Sequence, residues 1–289
     1  MSQDSVCRFL FDDLDICGAV VSLGAVWRKM LENRAYPEPV VRLLGEMSAT
    51  TLLLGGNLKQ PGRLTIQLRG NGPVSLLVID CNEQLQIRGM ARCEAQPESK
   101  SLRELLGHGH LQLSLDMRSM REPYQSIVPL DGENVAEVFE HYLRQSDQLP
   151  TRFFLAASSE AAAGLLLQKL PAADPCDPDG WSRVEALAAT VKASELLSLP
   201  AADLLLRLFH EEAVRLFPAR TVIHNCPEDW EKVRSMLRSL GPAEVYAALR
   251  EHDEVVIKDD LCNRDYRFDA QAIDEVFRDF VSGNPPTLH

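Results

Sequence analysis

No apolar run in this sequence approaches the roughly 18 residues that a bilayer span requires, so no membrane partner is expected. Positive charge is scarce as well: 30 Lys and Arg stand against 42 Asp and Glu, a formal net charge of −12 at pH 7. Binding to phosphate backbones needs a basic face, and nucleic acid is thereby excluded as an expected partner. There is no G-x-x-x-x-G-K-[ST] loop, hence no nucleotide cofactor is expected, and there is no G-x-S-x-G elbow. His210-Glu211-Glu212 lacks the second histidine of a zinc-protease helix and reads as a solvated helix face. His108-Gly109-His110 has no ligand partner in its local pattern and reads as a loop. No enzyme is expected.

A secretory signal is also missing, since Met1-Ser2-Gln3-Asp4 is polar and acidic. Seven scattered cysteines without such a signal read as reduced thiols rather than a disulfide framework. The cytoplasm is the expected compartment. Cys7, Cys17, Cys81, Cys93 and Cys176 are expected to be buried, inert thiols.

What the chain does have is 289 residues with an ordinary apolar content, enough for a large domain and a smaller one. Strands are expected around Arg8–Phe11 and Ile16–Val21, then a helix from Gly24 to Asn33. Val40 to Leu58 is apolar on most faces, the mark of a helix buried in a core. Arg63–Arg69 alternates cleanly, Val74–Ile79 is a buried run, and Leu85–Arg92, Leu111–Leu115 and Tyr124–Leu130 read as further strands. An amphipathic helix over Val135–Arg144 and strands at Arg152–Ala156 and Leu165–Leu170 complete an α+β domain. Asp174-Pro175-Cys176-Asp177-Pro178-Asp179-Gly180 marks a boundary, and Trp181 to Phe217 reads helical.

The terminal stretch carries the most chemistry. Ile223-His224-Asn225-Cys226 and Asp259-Asp260-Leu261-Cys262-Asn263 read H-x-C and D-x-x-C, an outline of a four-ligand metal knuckle. Zinc accepts thiolate, imidazole and carboxylate, so His224, Cys226, Asp259 and Cys262 are admissible ligands and zinc is the candidate cofactor. Asn263 suits a turn that needs positive φ. Cys226-Pro227-Glu228-Asp229 reads as a helix start, where the dipole favours thiolate. A hairpin over Val255–Ile257 and Tyr266–Phe268 and a helix over Ala272–Val281 follow, and the tail Gly283–Pro286 is expected to fray. The competing reading is a metal-free hairpin packed through Trp230, Ile257, Tyr266 and Phe268.

The chain resembles the heat-shock protein 33 family, the redox-regulated holdase chaperones of bacteria, over nearly its whole length. Collinear segments carry the likeness: Leu31-Glu32-Asn33, Tyr36–Val40, Ile66–Pro73, Arg88–Arg92, Gln148–Arg152, Ala162–Gln168 with Gly164, and Phe209–Glu212. The resemblance implies an N-terminal chaperone domain (1–173), a helical linker (174–220) and a C-terminal module like a zinc-binding redox switch (221–289). It implies an ATP-independent holdase that takes unfolding proteins as clients in a stress response, with a homodimer as a candidate assembly. In that family a C-x-C and a C-x-x-C hold zinc when reduced, and two disulfides form on oxidation. Here only Cys226 and Cys262 match, with His224 and Asp259 in the other two places. The two-disulfide activation is therefore expected to be lost or altered, leaving one candidate disulfide, Cys226–Cys262. The alternative function is a partner-specific adaptor or stress sensor without general holdase action. A metal-dependent enzyme around His224 and Asp259 is disfavoured, because no general base can be named.

Overall fold

The computed structural model describes residues 4–282 apart from 57, 59, 60, 95, 98, 100, 118, 121 and 147. The tail from Gly283, expected to fray, lies outside the described residues. The chain forms two compact units, one up to Asn225 and one from Cys226 onward. It is α+β, as its alternation of strand and helix patterns predicts.

In the first unit, β1 (Ser5–Phe11) and β2 (Ile16–Leu23) open the chain, α1 (Ala25–Leu31) and α2 (Glu38–Gly55) follow, and β3 (Gly62–Arg69), β4 (Val74–Asn82) and β5 (Gln86–Cys93) form a meander. Then come α3 (Leu102–Leu106), β6 (His110–Met117), β7 (Tyr124–Val128), α4 (Val135–Ser146), β8 (Thr151–Ala157) and β9 (Ala162–Lys169). Four short helices, α5 (Ala173–Cys176), α6 (Gly180–Ala188), α7 (Ala193–Ser198) and α8 (Ala201–Leu208), precede three short strands, β10 (Val214–Leu216), β11 (Arg220–Thr221) and β12 (Ile223–His224). One sheet runs β10-β1-β2-β9-β8 with β11 also on β1, and the other runs β12-β5-β4-β3-β6-β7. Among the described residues every pairing is antiparallel except β12 with β5, which makes the second sheet mixed.

The core sits around α2, which packs against strands of both sheets. An apolar helix placed there must be buried nearly all round, and 14 of its 18 residues are. Its polar positions are satisfied internally: the Ser48 and Thr51 hydroxyls donate to the Leu44 and Met47 carbonyls at 2.7 and 2.8 Å. Gly45 permits the close approach to β8, for a Cβ there would lie 2.4 Å from Ala157 Cβ. The start of α1 is capped at long range, with Asp4 Oδ1 accepting from the Gly24 and Val26 amides. The wholly buried Trp27 donates Nε1–H to the Ser158 carbonyl at 2.7 Å.

The second unit holds α9 (Trp230–Leu240), α10 (Pro242–His252), β13 (Val255–Asp259), β14 (Arg264–Phe268) and α11 (Ala270–Ser282). Its own core consists of Val233, Leu237, Val245, Val255, Tyr266, Phe268, Ile273, Val276 and Phe277.

At four places the elements differ from the sequence expectations or add to them. Val214–Leu216 is a strand rather than the end of a helical stretch, because it satisfies its backbone on the edge of β1. Leu102–Leu106 forms a five-residue helix that periodicity is too short to reveal. β4 continues through Asn82, three residues past the buried run expected over Val74–Ile79. Helix α9 begins at Trp230, not at Pro227, because Asp229 is its cap and accepts from the Lys232 amide at 3.0 Å.

Candidate functional site

Two places in the chain carry functional potential, one in each unit. In the first unit, the face of the β10-β1-β2-β9-β8 sheet turned away from α2 is apolar and is covered by α6, α7 and α8. Phe9, Phe11, Ile16, Val20, Leu165 and Leu167 supply the sheet side, and Val184, Leu196, Leu204, Leu205, Leu208 and Phe209 supply the cover. Alternation of side chains along each strand makes such a second face inevitable once the first is committed to α2. Phe209 packs edge-on to Phe11 with ring centroids 5.0 Å apart, and lies 6.5 Å from Phe9. The region expected as a helical linker thus packs within the first unit, since its apolar face has this sheet to cover.

Polar fastenings line the cover. Arg183 on α6 donates to Glu212 at 2.6 Å and to Asp177 at 3.0 Å. Glu212, expected as part of a solvated helix face, sits in the turn after α8 with only 12% of its side chain exposed. Arg152 on β8 donates to Glu140 of α4 at 3.0 Å, and its Nε lies 3.2 Å from Glu185 of α6 in an ion pair without hydrogen-bond alignment. Glu140 also accepts from the Phe153 amide, and burial raises its carboxyl above the usual range. Arg152 and Arg183 keep 38% and 42% of their side chains exposed, so solvent screens these pairs and apolar contact dominates the closure.

The second place is the turn between β13 and β14. Cys226 and Cys262 are joined as a disulfide with Cα atoms 5.5 Å apart, inside the range that such a bond accepts. Asp259 Oδ1 accepts from the Leu261 and Cys262 amides at 3.0 and 3.2 Å, tying the turn closed. Asn263 takes φ 49°, the left-handed conformation for which asparagine is suited. Arg264 Nη2 donates to the Cys226 carbonyl at 3.2 Å, and the Tyr266 hydroxyl accepts from the Asp229 amide at 3.0 Å. Trp230 packs edge-on to Tyr266 at 4.8 Å and to Phe268 at 5.8 Å. Because α9 starts after Cys226, no helix N-terminus is available to favour its thiolate.

His224 belongs to the first unit, half-buried on β12 beside β5. Desolvation holds its imidazole below the usual range, and the Lys29 and Arg34 charges push the same way. Of the four candidate ligands, Cys226, Cys262 and Asp259 lie in the second unit and His224 in the first. The two sulfurs are bonded to each other and one Asp259 oxygen serves the turn's amides. Among the described residues no three His, Cys, Asp or Glu side chains gather to hold a metal. Bonded to each other, the two sulfurs offer zinc no thiolate, so the residues as they stand here do not fit a four-ligand structural zinc centre.

The remaining thiols differ from one another. Cys7 and Cys17 are raised by burial, and burial, then the Asp80 charge, pushes Cys81 up to about 12. Cys176 is exposed, contrary to its expected burial, because α5 is a single turn at the surface. Sequence reasoning also missed the aromatic trio Phe9, Phe11 and Phe209 and the turn-capping carboxylate of Asp259. An aspartate placed two and three residues before turn amides was the available signal for the latter.

The segments that carried the family likeness have structural tasks. Tyr36 Oη accepts from the Ala91 amide at 3.0 Å, joining the chain before α2 to β5. In the turn after β3, the Asn71 and Gly72 amides donate to the Leu106 carbonyl and Asn71 Oδ1 accepts from the His108 amide. Among the described residues no helix is long and apolar enough to cross a membrane.

Residues 4–269 match the family model described as Hsp33 protein. The 33 kDa chaperonin of Chromobacterium violaceum is 42% identical over 277 residues, covering 95% of this chain and 94% of that protein. The 33 kDa chaperonin of Azotobacter vinelandii is 42% identical over 289 residues, covering 98% and 97%. The crystal structure of the 33 kDa chaperonin (heat shock protein 33 homolog) from Thermotoga maritima superposes with a TM-score of 0.80 at 20% identity, over 97% of this chain and all of that one.

Proposed function

This chain belongs to the Hsp33 protein family, and on that premise we propose that it is an ATP-independent holdase chaperone that binds unfolding proteins and prevents their aggregation. The observation that carries this reading is the covered apolar sheet of the first unit. Its cover consists of helices of only nine, six and eight residues, and helices of such length are marginal in water without a surface to pack on. Each large apolar side chain that it buries contributes about 1.5–3 kcal/mol to closure. Loosening the cover therefore requires less free energy than unfolding the sheet, and it presents Phe9, Phe11, Ile16, Val20, Leu165 and Leu167 as one apolar face. Such a face recognises the apolar segments that unfolding clients expose, and it needs no nucleotide to do so.

Heat is the natural trigger, because it weakens a marginal cover before a well-packed sheet. The family's two-disulfide switch cannot operate here, since two of its four cysteine positions hold His224 and Asp259. Light scattering from a heat-labile client, mixed with the full chain in the absence of ATP, tests the proposal. Suppression that grows as the chaperone is warmed supports it; absence of suppression by reduced, oxidised and warmed protein alike removes it.

A further inference from the structure

We propose that the Cys226–Cys262 disulfide is a metal-free lock on the second unit: oxidation tightens that unit and reduction loosens it. The inference goes beyond the holdase reading and concerns the second unit itself, whatever the protein binds.

Connectivity is the first ground. The bond spans 36 positions in sequence and joins the segment before α9 to the β13–β14 turn. The loop it closes contains α9, α10 and β13, so the bond removes freedom from the unfolded chain and leaves the native elements intact. Bonds between neighbouring cysteines of a C-x-C or C-x-x-C close loops of a few residues and give little of this effect. Cys226 and Cys262 are the only cysteines after Cys176, so one intramolecular pairing alone is available within the unit.

The second ground is that the bonded geometry is held by independent contacts. Asp259 closes the turn through two amides, Arg264 fixes the Cys226 carbonyl, and Tyr266 accepts from Asp229. Forming the bond demands no departure from these contacts, and a nine-residue apolar core stands beneath them. The third is the donor set: the ligand positions of a metal knuckle are occupied by a sulfur pair and by a carboxylate that serves the turn.

A peroxide is the oxidant class that completes the chemistry. One thiol loses its proton, the thiolate attacks a peroxide oxygen, the O–O bond breaks, and a sulfenic acid and hydroxide result, the hydroxide taking up that proton as water. The second thiolate then attacks that sulfur and expels hydroxide, which takes up a proton as water. Two thiols and one hydrogen peroxide thus give one disulfide and two waters. A dithiol reductant reverses the bond by exchange, leaving as its own cyclic disulfide.

The test is amide hydrogen exchange on the full chain, reduced with a dithiol or oxidised with hydrogen peroxide, each with added Zn²⁺ or with chelator. Peptide mapping verifies the Cys226–Cys262 link. For a loop of this length the chain-entropy relation gives a change in the opening equilibrium on the order of 10²–10³-fold. Amides of β13 and β14 are expected to exchange more slowly by that factor in the oxidised protein, with Zn²⁺ and chelator making no difference to the reduced one. Cys262→Ser and Cys226→Ser proteins are expected to exchange like the reduced wild type under both conditions. Faster or unchanged exchange on oxidation overturns the proposal, as does protection of the reduced protein by Zn²⁺ equal to that given by oxidation. Light scattering plays no part in this readout, so its failure and that of the holdase reading are distinguishable.

Discussion

Replacing Phe209 with alanine tests how the cover of the first unit is held. Phe209 is 2% exposed, follows directly on α8, and is the cover's only aromatic contact with both Phe9 and Phe11 among the described residues. Truncating a buried Phe typically costs about 3–5 kcal/mol, of which an aromatic pair supplies about 0.5–1.5. The lost contact lies between cover and sheet, whereas the α2 core keeps all of its members. Most of the cost therefore falls on opening the cover, a shift of about 10²–10³-fold in that local equilibrium at roughly 1.4 kcal/mol per tenfold. Hydrogen exchange over Gly180–Leu208 should accelerate by that factor while β2 and β9 keep their protection. Aggregation suppression should set in at lower temperature than in wild type, and Phe209→Leu should fall between the two. A uniform loss of protection through the first unit would refute the reasoning, because cover and sheet would then open as one. So would an open cover with unchanged suppression, which would separate the cover from client binding.

Three further changes follow from the packing and the charges. Burial pushes Glu46 up to about 7 despite the Arg42 guanidinium 3.8 Å away; the native state then holds more protons than the unfolded one between about pH 4.5 and 7, so this group's contribution falls as pH rises through that window. Glu46→Gln should raise Tm at pH 8 by removing a penalty on the order of 3 kcal/mol at most, and leave Tm unchanged at pH 4; equal effects at both pH values would contradict this. Asp259→Ala should cost the second unit about 1–2 kcal/mol through two unsatisfied turn amides, with Asp259→Asn recovering most of it, as read by exchange of β13 and β14. Tyr266→Phe should cost about 1 kcal/mol by stranding the Asp229 amide at the start of α9, visible as faster exchange there and nowhere in the first unit.

The elements that sequence reasoning located best are those whose burial leaves a mark on composition. α2 is apolar all round because both sheets close on it, and β3 alternates because its Leu64, Ile66 and Leu68 face the core while Arg63 and Arg69 do not. The strands β10, β11 and β12 span three, two and two residues, too few for any period, and exist because the edges of β1 and β5 offer unpaired backbone groups. Their formation explains why the compact unit runs on to Asn225 instead of ending at the proline-rich loop before α6: the chain returns to both sheets after leaving them. At the candidate site the two cysteines were legible as a pair from their places in a familiar pattern. The work of Asp259 was not, since one acid among Asp253, Glu254, Asp260 and Asp265 is distinguished only by the amides it meets in the folded turn. The aromatic trio was hidden for a like reason: Phe9 and Phe11 are 200 and 198 residues from Phe209 in sequence, and only the sheet brings them together.

The central claim is that the apolar sheet under α6, α7 and α8 is the surface offered to clients. Hydrogen exchange of the warmed full chain, with and without a thermally unfolded client, tests it most directly. Warming is expected to strip protection from Gly180–Leu208 while β2 and β9 remain protected, and bound client is expected to slow exchange further in the uncovered strands β1 and β9. Suppression of aggregation with the cover protected throughout, or client-induced protection confined to other elements, would contradict it.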